Sequence, residues 1–199
     1  MTNGKAIRMH PGTASRRIEG YVIVSADGMI ADSGRAMPDS IRNDADQRFF
    51  QDNLDRAAVL VHGRHSHEGG PRAANRKRLV LTHAVAGLAP DPAQPNALLW
   101  NPLGATLDEA LAGIGATDGT VAVIGGRGVF SLFLPLYDAF HLSRAAAARI
   151  PGGLPVFNEV GPNATPEDVL ARHGLKPGPR RDLDAAAGVS VVTWQRPAT

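Results

Sequence analysis

The chain has 199 residues, of which 43% are hydrophobic and 20% charged, and its formal net charge is +2. This length suits one domain with a sizeable core, and the composition is that of an ordinary soluble globular protein. The absence of cysteine excludes disulfides, thiolate metal sites and cysteine nucleophiles, and it fits a reducing cytoplasm. The small positive charge gives no reason to expect nucleic acid as a partner.

The N-terminal segment is basic and lacks the apolar stretch of a secretory signal. No run in the chain approaches the length of about 18 apolar residues that a membrane span needs. We therefore predict a flexible lead-in over residues 1–17 and a single domain over residues 18–199. We expect the protein to be cytoplasmic, with no membrane partner.

Strand patterns and helix patterns alternate along this domain, which predicts an α/β fold with a largely parallel sheet. The predicted strands and extended pieces are 20–32 (broken at Asp27-Gly28), 58–63, 77–83, 120–126, 139–146, 153–157 and 188–196. The predicted helices are 41–57, 106–114 and 128–137, the last ended by Pro135. Residues 84–102 read as an irregular connection, and residues 165–174 fit a helix no better than a loop.

The predicted helix 41–57 places a carboxylate on its apolar face. At 100° per residue, Asp46 shares a face with Phe49, Phe50 and Leu54. Burying a carboxylate is costly unless it is paired, and burial raises its pKa. Asp46 is therefore either a capped or ion-paired structural residue or a functional carboxylate.

Two polar segments each border a predicted strand. In the segment 61–70, Arg64 and Ser66 could donate to a phosphate. The same segment carries His62, His65, His67 and Glu68, but their spacing matches no zinc signature, and we predict no metal. The segment 75–83 is either a solvated strand edge or an anion site, with Arg76, Lys77 and Arg78 before the strand and Thr82 and His83 after it.

The segment 123–135, VIGGRGVFSLFLP, joins a strand to a helix through two adjacent glycines. Gly126-x-Gly128 could begin a dinucleotide fingerprint, but Ser131 occupies the third glycine position and only Asp138 could serve as the later acid. The glycines are thus either a turn or a place where the backbone approaches a ligand. The chain contains neither a G-x-S-x-G elbow nor a P-loop.

These segments together resemble the dihydrofolate reductase superfamily, which includes the reductase half of riboflavin-biosynthesis deaminase-reductases. The resemblance is carried by VSADGMIAD, VHGRHSHE, NRKRLVLTH and, most strongly, VIGGRGVFSLFLPLYDAFHLS, and it extends over roughly residues 18–196. It implies a three-layer fold with a mostly parallel central sheet and helices on both faces.

The resemblance also implies an NADPH site and a substrate site. The implied cofactor-binding residues are Ile30, Ala31, Gly63, Arg64, His65, Ser66, Thr82, His83, Ile124, Gly125, Gly126, Arg127, Gly128, Val129 and Phe130. Thr82 and His83 would hold the ribose 2′-phosphate. The implied catalytic residues are Asp46 and Asp27, and the implied substrate-binding residues are Asp46, Phe50, Arg76 and Ser143.

The implied activity is transfer of a hydride from NADPH to a nitrogen heterocycle, either a ribosylamino-pyrimidinone of the riboflavin pathway or a dihydrofolate or pterin. Two alternatives stay open, namely a non-catalytic NADPH-binding or ligand-sensing protein on the same fold and a structural domain without a cofactor. The partner would be a small heterocycle. Riboflavin-type relatives suggest a homodimer, whereas folate-type relatives suggest a monomer.

Overall fold

The computed structural model describes residues 16–66 and 68–197. These residues form a nine-stranded sheet in the order β10-β11-β8-β1-β7-β3-β4-β6-β5 and a two-stranded sheet, β2-β9. The strands are β1 (Arg16–Ser25), β2 (Met29–Ala31), β3 (Val59–Gly63), β4 (Arg78–Leu81), β5 (Leu88–Pro90), β6 (Ala97–Trp100), β7 (Gly119–Gly125), β8 (Ala139–Ala145), β9 (Leu154–Pro155), β10 (Lys176–Asp184) and β11 (Val189–Gln195).

The helices cover both faces of the larger sheet. They are α1 (Asp44–Leu54), α2 (Leu107–Gly113), α3 (Arg127–Phe133) and α4 (Pro166–Arg172), with 3₁₀ turns at Asp39–Ile41, Ala73–Asn75 and Leu134–Leu136. Helix α1 packs on one face and the other three helices pack on the opposite face. The expected three-layer α/β fold is confirmed.

Alternation along the strands explains the two packed faces. Val59 and Val61 of β3 point toward α2 and α3, whereas Leu60 between them packs with Leu54 of α1. Successive side chains of a strand point to opposite faces, so a continuous apolar run supplies both layers. The run AVLVHG therefore marks a strand buried on both sides.

The central strands β1, β7, β3, β4 and β6 are mutually parallel, and antiparallel pairs occur toward both edges of the sheet. The carboxyl ends of these central strands lie along one rim of the sheet. From β1 to β6 the rim crosses four strand intervals of about 4.8 Å each, or about 19 Å in all. Loops that leave this rim can therefore line a long cleft.

Side-chain caps set the helix boundaries. The Asn43 side chain accepts hydrogen bonds from the N–H groups of Ala45 and Asp46, so α1 begins at Asp44 rather than at the predicted residue 41. Thr106 and Thr165 each form a reciprocal capping box before α2 and α4. The segment 165–174, which the sequence left undecided, is thus helical over most of its length.

The sequence analysis missed three strands and also misplaced the start of the first strand. Strands β5 and β6 lie in the predicted irregular connection 84–102, and β10 was not predicted at all. The expected lead-in is wrong at Arg16 and Arg17, which begin β1, and residues 1–15 of it lie outside the described residues. Within the described ranges, no helix is long and apolar enough to cross a membrane.

Candidate functional site

A cleft of about 1300 Å³ opens along the rim where the central parallel strands end. Loops after β1, β3, β4, β6 and β7 line it, together with one side of α1. The structure brings sixteen of the predicted site residues together there. They are Ile30, Ala31, Asp46, Phe50, Gly63, Arg64, His65, Ser66, Thr82, His83, Ile124, Gly126, Arg127, Gly128, Val129 and Phe130.

The two adjacent glycines, Gly125 and Gly126, differ in the space around them. Gly125 has a φ of +102°, and a Cβ atom there would lie 2.6 Å from Cε2 of Phe130, so packing inside the fold requires this glycine. Gly125 does not line the cleft, and its contact with a ligand stays a prediction. Gly126 does line it, and a Cβ atom there would meet only the Ser66 hydroxyl, at 3.4 Å. The peptide bond between the two glycines is cis.

The loops after β3 and β7 bring two guanidinium groups to the cleft, those of Arg64 and Arg127. Neither Arg64 nor Arg127 makes a salt bridge with any carboxylate of the described chain. Thr82 follows β4, and its hydroxyl accepts a hydrogen bond from the N–H of Ala84. His83 lies beside it on the cleft lining. These donors, next to an open glycine loop, suit a polyanion.

Asp46 provides the buried carboxylate of the cleft. Its residue is 8% exposed, and burial raises the pKa of its carboxyl group, while a hydrogen bond from Ser143 partly opposes that rise. Ser143 is 1% exposed, does not line the cleft and contacts Asp46, and its contact with a substrate stays a prediction. The buried, apolar-face position predicted for Asp46 is confirmed.

A polar network lies beneath α1 next to Asp46. The Tyr21 hydroxyl donates to Oε2 of Glu19 at 2.5 Å, and Nε2 of His141 lies 3.3 Å from the same oxygen. The Tyr21 and His141 rings stack with centroids 4.5 Å apart. The contact with His141 and the Tyr21 hydroxyl lower the pKa of Glu19 to about 2 despite its burial. Tyr21 also lines the cleft, so this network supports its floor.

Asp27, predicted as catalytic, does not line the cleft. It accepts hydrogen bonds from the Ser25 hydroxyl at 2.5 Å and from the N–H of Ile150 at 3.1 Å. Burial raises the pKa of Asp27, but these hydrogen bonds outweigh that effect and lower it. In this position the carboxylate fixes the turn between β1 and β2, and the catalytic role of Asp27 stays a prediction.

Arg76, predicted to bind the substrate, also lies outside the cleft. Its guanidinium contacts Asp55 at 2.5 Å and Glu68 at 2.6 Å, and its side chain is 7% exposed. Arg78 pairs with the same Glu68 carboxylate. Arg76 instead faces a smaller cavity of about 380 Å³. Arg76 thus precedes β4 as a buried residue paired with two carboxylates, and its contact with the substrate stays a prediction.

His62 and His65 of the segment 61–70 face different cavities. His62 is buried and faces the smaller cavity, whereas His65 lines the cleft. His67 lies outside the described residues. Within the described ranges, no group of three or more His, Asp or Glu side chains could hold a metal ion.

The cleft also contains residues that the sequence analysis did not single out. Those with functional side chains or exposed apolar groups are Tyr21, Arg35, Met37, Arg42, Gln47, Pro102 and Leu103. Recognising ALLW as a parallel strand would have placed Pro102 and Leu103 at the rim. Arg35 and Arg42 lie in a polar loop, where sequence patterns alone do not show which side chains turn toward a cavity.

No protein-family profile matches the chain, and a search of the curated proteins finds no match. Solved structures do resemble it. A structure described as a riboflavin biosynthesis protein from Shewanella sp. PV-4 has a TM-score of 0.63 and 19% identity, covering 92% of this chain and 99% of that one. Dihydrofolate reductase from Enterococcus faecalis, complexed with NADP(H) and RAB-propyl, has a TM-score of 0.61 and 18% identity, covering 90% and 96%.

A third similar structure is a two-activity protein from Thermotoga maritima. It is a diaminohydroxyphosphoribosylaminopyrimidine deaminase/5-amino-6-(5-phosphoribosylamino)uracil reductase, with a TM-score of 0.60 and 17% identity. The alignment covers 92% of this chain but only 57% of that one. These likenesses, at identities below 20%, concern the fold. The chain has the dihydrofolate-reductase-like fold that its sequence motifs predicted.

Proposed function

We propose that this protein is an NADPH-dependent reductase that transfers a hydride to a nitrogen heterocycle. The observation that carries the proposal is one continuous cleft that joins free guanidiniums beside a glycine loop to the buried carboxylate of Asp46. The substrate candidates are a ribosylamino-pyrimidinone and a dihydrofolate or pterin. The names of the similar structures, a uracil reductase and a dihydrofolate reductase with NADP(H), support this choice.

The residues of the rim fit a dinucleotide phosphate. A Cβ atom at Gly128 would meet nothing within 4 Å, so the backbone there faces open cleft. Arg64 and Arg127 supply positive charge without an internal partner, and Ser66 supplies a hydroxyl. We assign the 2′-phosphate to Thr82, His83 and Arg64, which favours NADPH over NADH.

NADPH would supply the hydride, and the protein would supply alignment, exclusion of water and a proton. Ile30, Ala31 and Phe50 give the cleft apolar walls that limit water beside the reacting ring. Burial raises the pKa of Asp46, so its carboxyl group retains a proton more readily than an exposed aspartate. Asp46 would hold that proton at Oδ, facing a ring nitrogen of the substrate, with Ser143 fixing the carboxyl group from behind.

The direct test measures nucleotide binding and turnover on the intact protein. We expect NADPH to bind more tightly than NADH, and the NADPH absorbance band to disappear when the phosphoribosylamino-uracil or dihydrofolate is added. Binding without turnover on either compound would favour the non-catalytic alternative. No thermal stabilisation at saturating NADPH would contradict the cofactor assignment, since a ligand at 100 times its Kd stabilises by about 2.7 kcal/mol.

A glycine variant tests the position of the cofactor. Gly126→Ala has room for its methyl group in the folded protein, so a loss of NADPH affinity of at least about tenfold would report a ligand close to the backbone. Gly161→Ala is the matched control, because its Cβ also meets nothing within 4 Å and it does not line the cleft. Equal NADPH affinities in the two variants would contradict the proposed position.

The 2′-phosphate assignment has its own test. We expect Arg64→Ala and His83→Ala to weaken NADPH far more than NADH, because only NADPH carries that phosphate. A charge-assisted hydrogen bond contributes about 1.5–3 kcal/mol, so each variant should lose roughly tenfold or more in NADPH affinity. Parallel losses for both nucleotides would refute the assignment.

A further inference from the structure

The loop between β2 and α1 brings two more guanidinium groups to the cleft. Arg35 and Arg42 both line it, as do Asp46 and Phe50 of α1 just after them in the chain. Arg76, the arginine that the sequence assigned to the substrate, is held by Asp55 and Glu68 away from the cleft. The α1 side of the cleft therefore has its own cations, different from the predicted one.

Arg35 has a backbone conformation that is unfavourable for a residue with a side chain. Arg35 has a φ of +66°, and it is the one non-glycine residue of the described chain with a positive φ. Its N–H donates to the carbonyl of Asp32, and the N–H of Ala36 donates to Oδ1 of Asp32, which closes a tight turn. A side chain in the left-handed region costs roughly 1–2 kcal/mol, and glycine adopts it freely. Gly34, one position earlier, does not have a positive φ.

The Arg35 side chain has nothing inside the protein to explain that cost. It is exposed, and no carboxylate of the described ranges pairs with it. A residue held in a sparsely populated conformation without an internal partner indicates a functional role for its side chain. Because Arg35 lines the cleft, that role is contact with a ligand there.

Arg42 adds a second cation that the same loop orients. Its Nη2 donates to the carbonyl of Met37 at 3.2 Å, and its Nε lies 3.3 Å from a carboxylate oxygen of Asp39. The Asp39 side chain is 96% exposed, so this surface ion pair neutralises Arg42 only weakly. Two other ionisable side chains on this side line the cleft. Burial opposes the ionisation of Asp46, and burial together with the nearby Glu19 raises the pKa of Tyr21. Arg35 and Arg42 are thus the cations that the α1 side presents to a ligand.

Arg35 and Arg42 lie in a different loop from the residues assigned to the 2′-phosphate. They belong to the connection between β2 and α1, whereas Thr82 and His83 follow β4. Of the other cations assigned to the cofactor, Arg64 follows β3 and Arg127 follows β7. The substrate anion and the 2′-phosphate are thus assigned to separate loops of the cleft.

We propose that Arg35 and Arg42 bind an anionic group of the substrate, a phosphate or a carboxylate, while its heterocycle contacts Asp46. This inference rests on the proposed reductase function and names residues that determine the substrate. Guanidinium groups bind both anions in a bidentate manner, so the chemistry of recognition is shared.

The test compares ligands with and without the anion on the protein loaded with NADP⁺, which has no hydride to transfer, so that the titration measures binding without turnover. One pair is the phosphoribosylamino-uracil and its dephosphorylated form, and the other is dihydrofolate and a dihydropterin without carboxylates. We expect Arg35→Gly and Arg42→Ala each to weaken the anionic member of one pair about tenfold or more in calorimetric titration. The pair that responds identifies the anion as phosphate or carboxylate. The uncharged members should lose less than about twofold.

Arg35→Gly separates a binding role from a folding role. Glycine fits the positive φ, so this variant should unfold at the same temperature as the wild type or higher while losing affinity for the anion. Arg48→Ala is the matched control, since Arg48 is an exposed arginine of α1 that does not line the cleft. It should leave all ligand affinities within about twofold.

The outcomes distinguish this inference from the proposed function. If Arg35→Gly changes the anionic and uncharged ligands equally, or if it weakens NADPH as much as the substrate, the inference is overturned and the reductase proposal stands. If the wild-type protein binds NADPH but none of the four heterocycles, both the substrate proposal and this inference fall. A selective loss in Arg35→Gly with unchanged NADPH affinity supports the inference.

Discussion

The two faces of the central sheet differ in chemistry, although the same strands form both. On the face covered by α2, α3 and α4, the contacts are almost entirely hydrocarbon, and Trp100 and Phe133 are fully buried there. On the face covered by α1, the same strands present Glu19, Tyr21 and His141, joined by hydrogen bonds.

The difference separates stability from chemistry. Apolar burial stabilises in proportion to area and needs no particular partner, so the first face can support the sheet alone. On a polar face each buried donor and acceptor needs a hydrogen-bond partner. Such partners and the surrounding burial can set whether a carboxyl group is ionised or protonated. Asp46 lies on that face, at the edge of the cleft.

The largest expected effect is on the apolar face. We expect Phe133→Ala to lower the free energy of unfolding by about 3–5 kcal/mol, because it removes a fully buried ring and leaves a cavity. Denaturant titration would measure this, with Phe50→Ala on the half-buried α1 face as the comparison. If Phe50→Ala costs as much as Phe133→Ala, the two faces contribute equally and the comparison fails.

The next effect is the pH dependence of the polar face. The folded-state pKa of Glu19 is lowered from 4.5 to about 2, first by His141 and then by Tyr21. The resulting stabilisation is present above pH 4.5 and is lost as the pH falls toward 2. It amounts to about 3 kcal/mol.

We therefore expect the free energy of unfolding to decline less steeply with acid in Glu19→Gln than in the wild type, by up to that amount. Urea titrations at a series of acidic pH values would measure the two slopes. Glu159→Gln is the control, because that carboxylate is 42% exposed. Identical slopes in wild type and Glu19→Gln would show that the network does not hold the Glu19 charge.

A third prediction concerns Asp46, where stability and activity should change in opposite directions. Burial opposes ionisation of Asp46, so Asp46→Asn should raise the thermal midpoint at neutral pH, and the gain should vanish at acidic pH where the wild-type carboxyl group is protonated. Turnover should fall about 100-fold through loss of the proton donor. NADPH affinity should not change. Turnover within about threefold of wild type would remove Asp46 from the proposed chemistry.

The smallest expected effect is Tyr21→Phe. The ring and its stacking on His141 remain, and only the hydroxyl that donates to Glu19 is lost. We expect a loss of about 1 kcal/mol in the free energy of unfolding, the usual net contribution of one hydrogen bond. Combining Tyr21→Phe with Glu19→Gln should give less than the sum of the two single losses, and strict additivity would show that the groups are not coupled.

Much of the fold was predictable because local patterns and tertiary packing agree. The apolar runs that form β3 and β7 are buried on both sides of the sheet. Thr106 predicted the start of α2, because threonine is a favourable helix N-cap residue, and it caps α2 in the structure. Strand β10 escaped because Pro177 and Pro179 argue against a strand, yet β10 is at the edge of the sheet, where proline is tolerated. The position of β10 at the sheet edge depends on the tertiary fold and cannot be read from its local sequence.

The environment of a site residue was predictable where neighbouring residues in the sequence determine it. The helical periodicity placed Asp46 on the buried face, and the structure agrees. The internal partners of Arg76 and Asp27 were not predictable in the same way, since Asp55 and Ile150 belong to other segments of the chain. Whether a charged side chain meets a ligand or an internal partner depends on those distant contacts.

The order of the cleft's lining along the chain has a consequence for engineering. Nearly all of the lining on the α1 side lies between residues 21 and 50, whereas the lining on the other side lies between residues 63 and 132. Most of the side chains proposed to contact the substrate therefore belong to one continuous segment of the chain. An exchange of residues 35–50 with another sequence would change Arg35, Arg42, Asp46 and Phe50 together and leave the residues proposed to bind the cofactor unchanged.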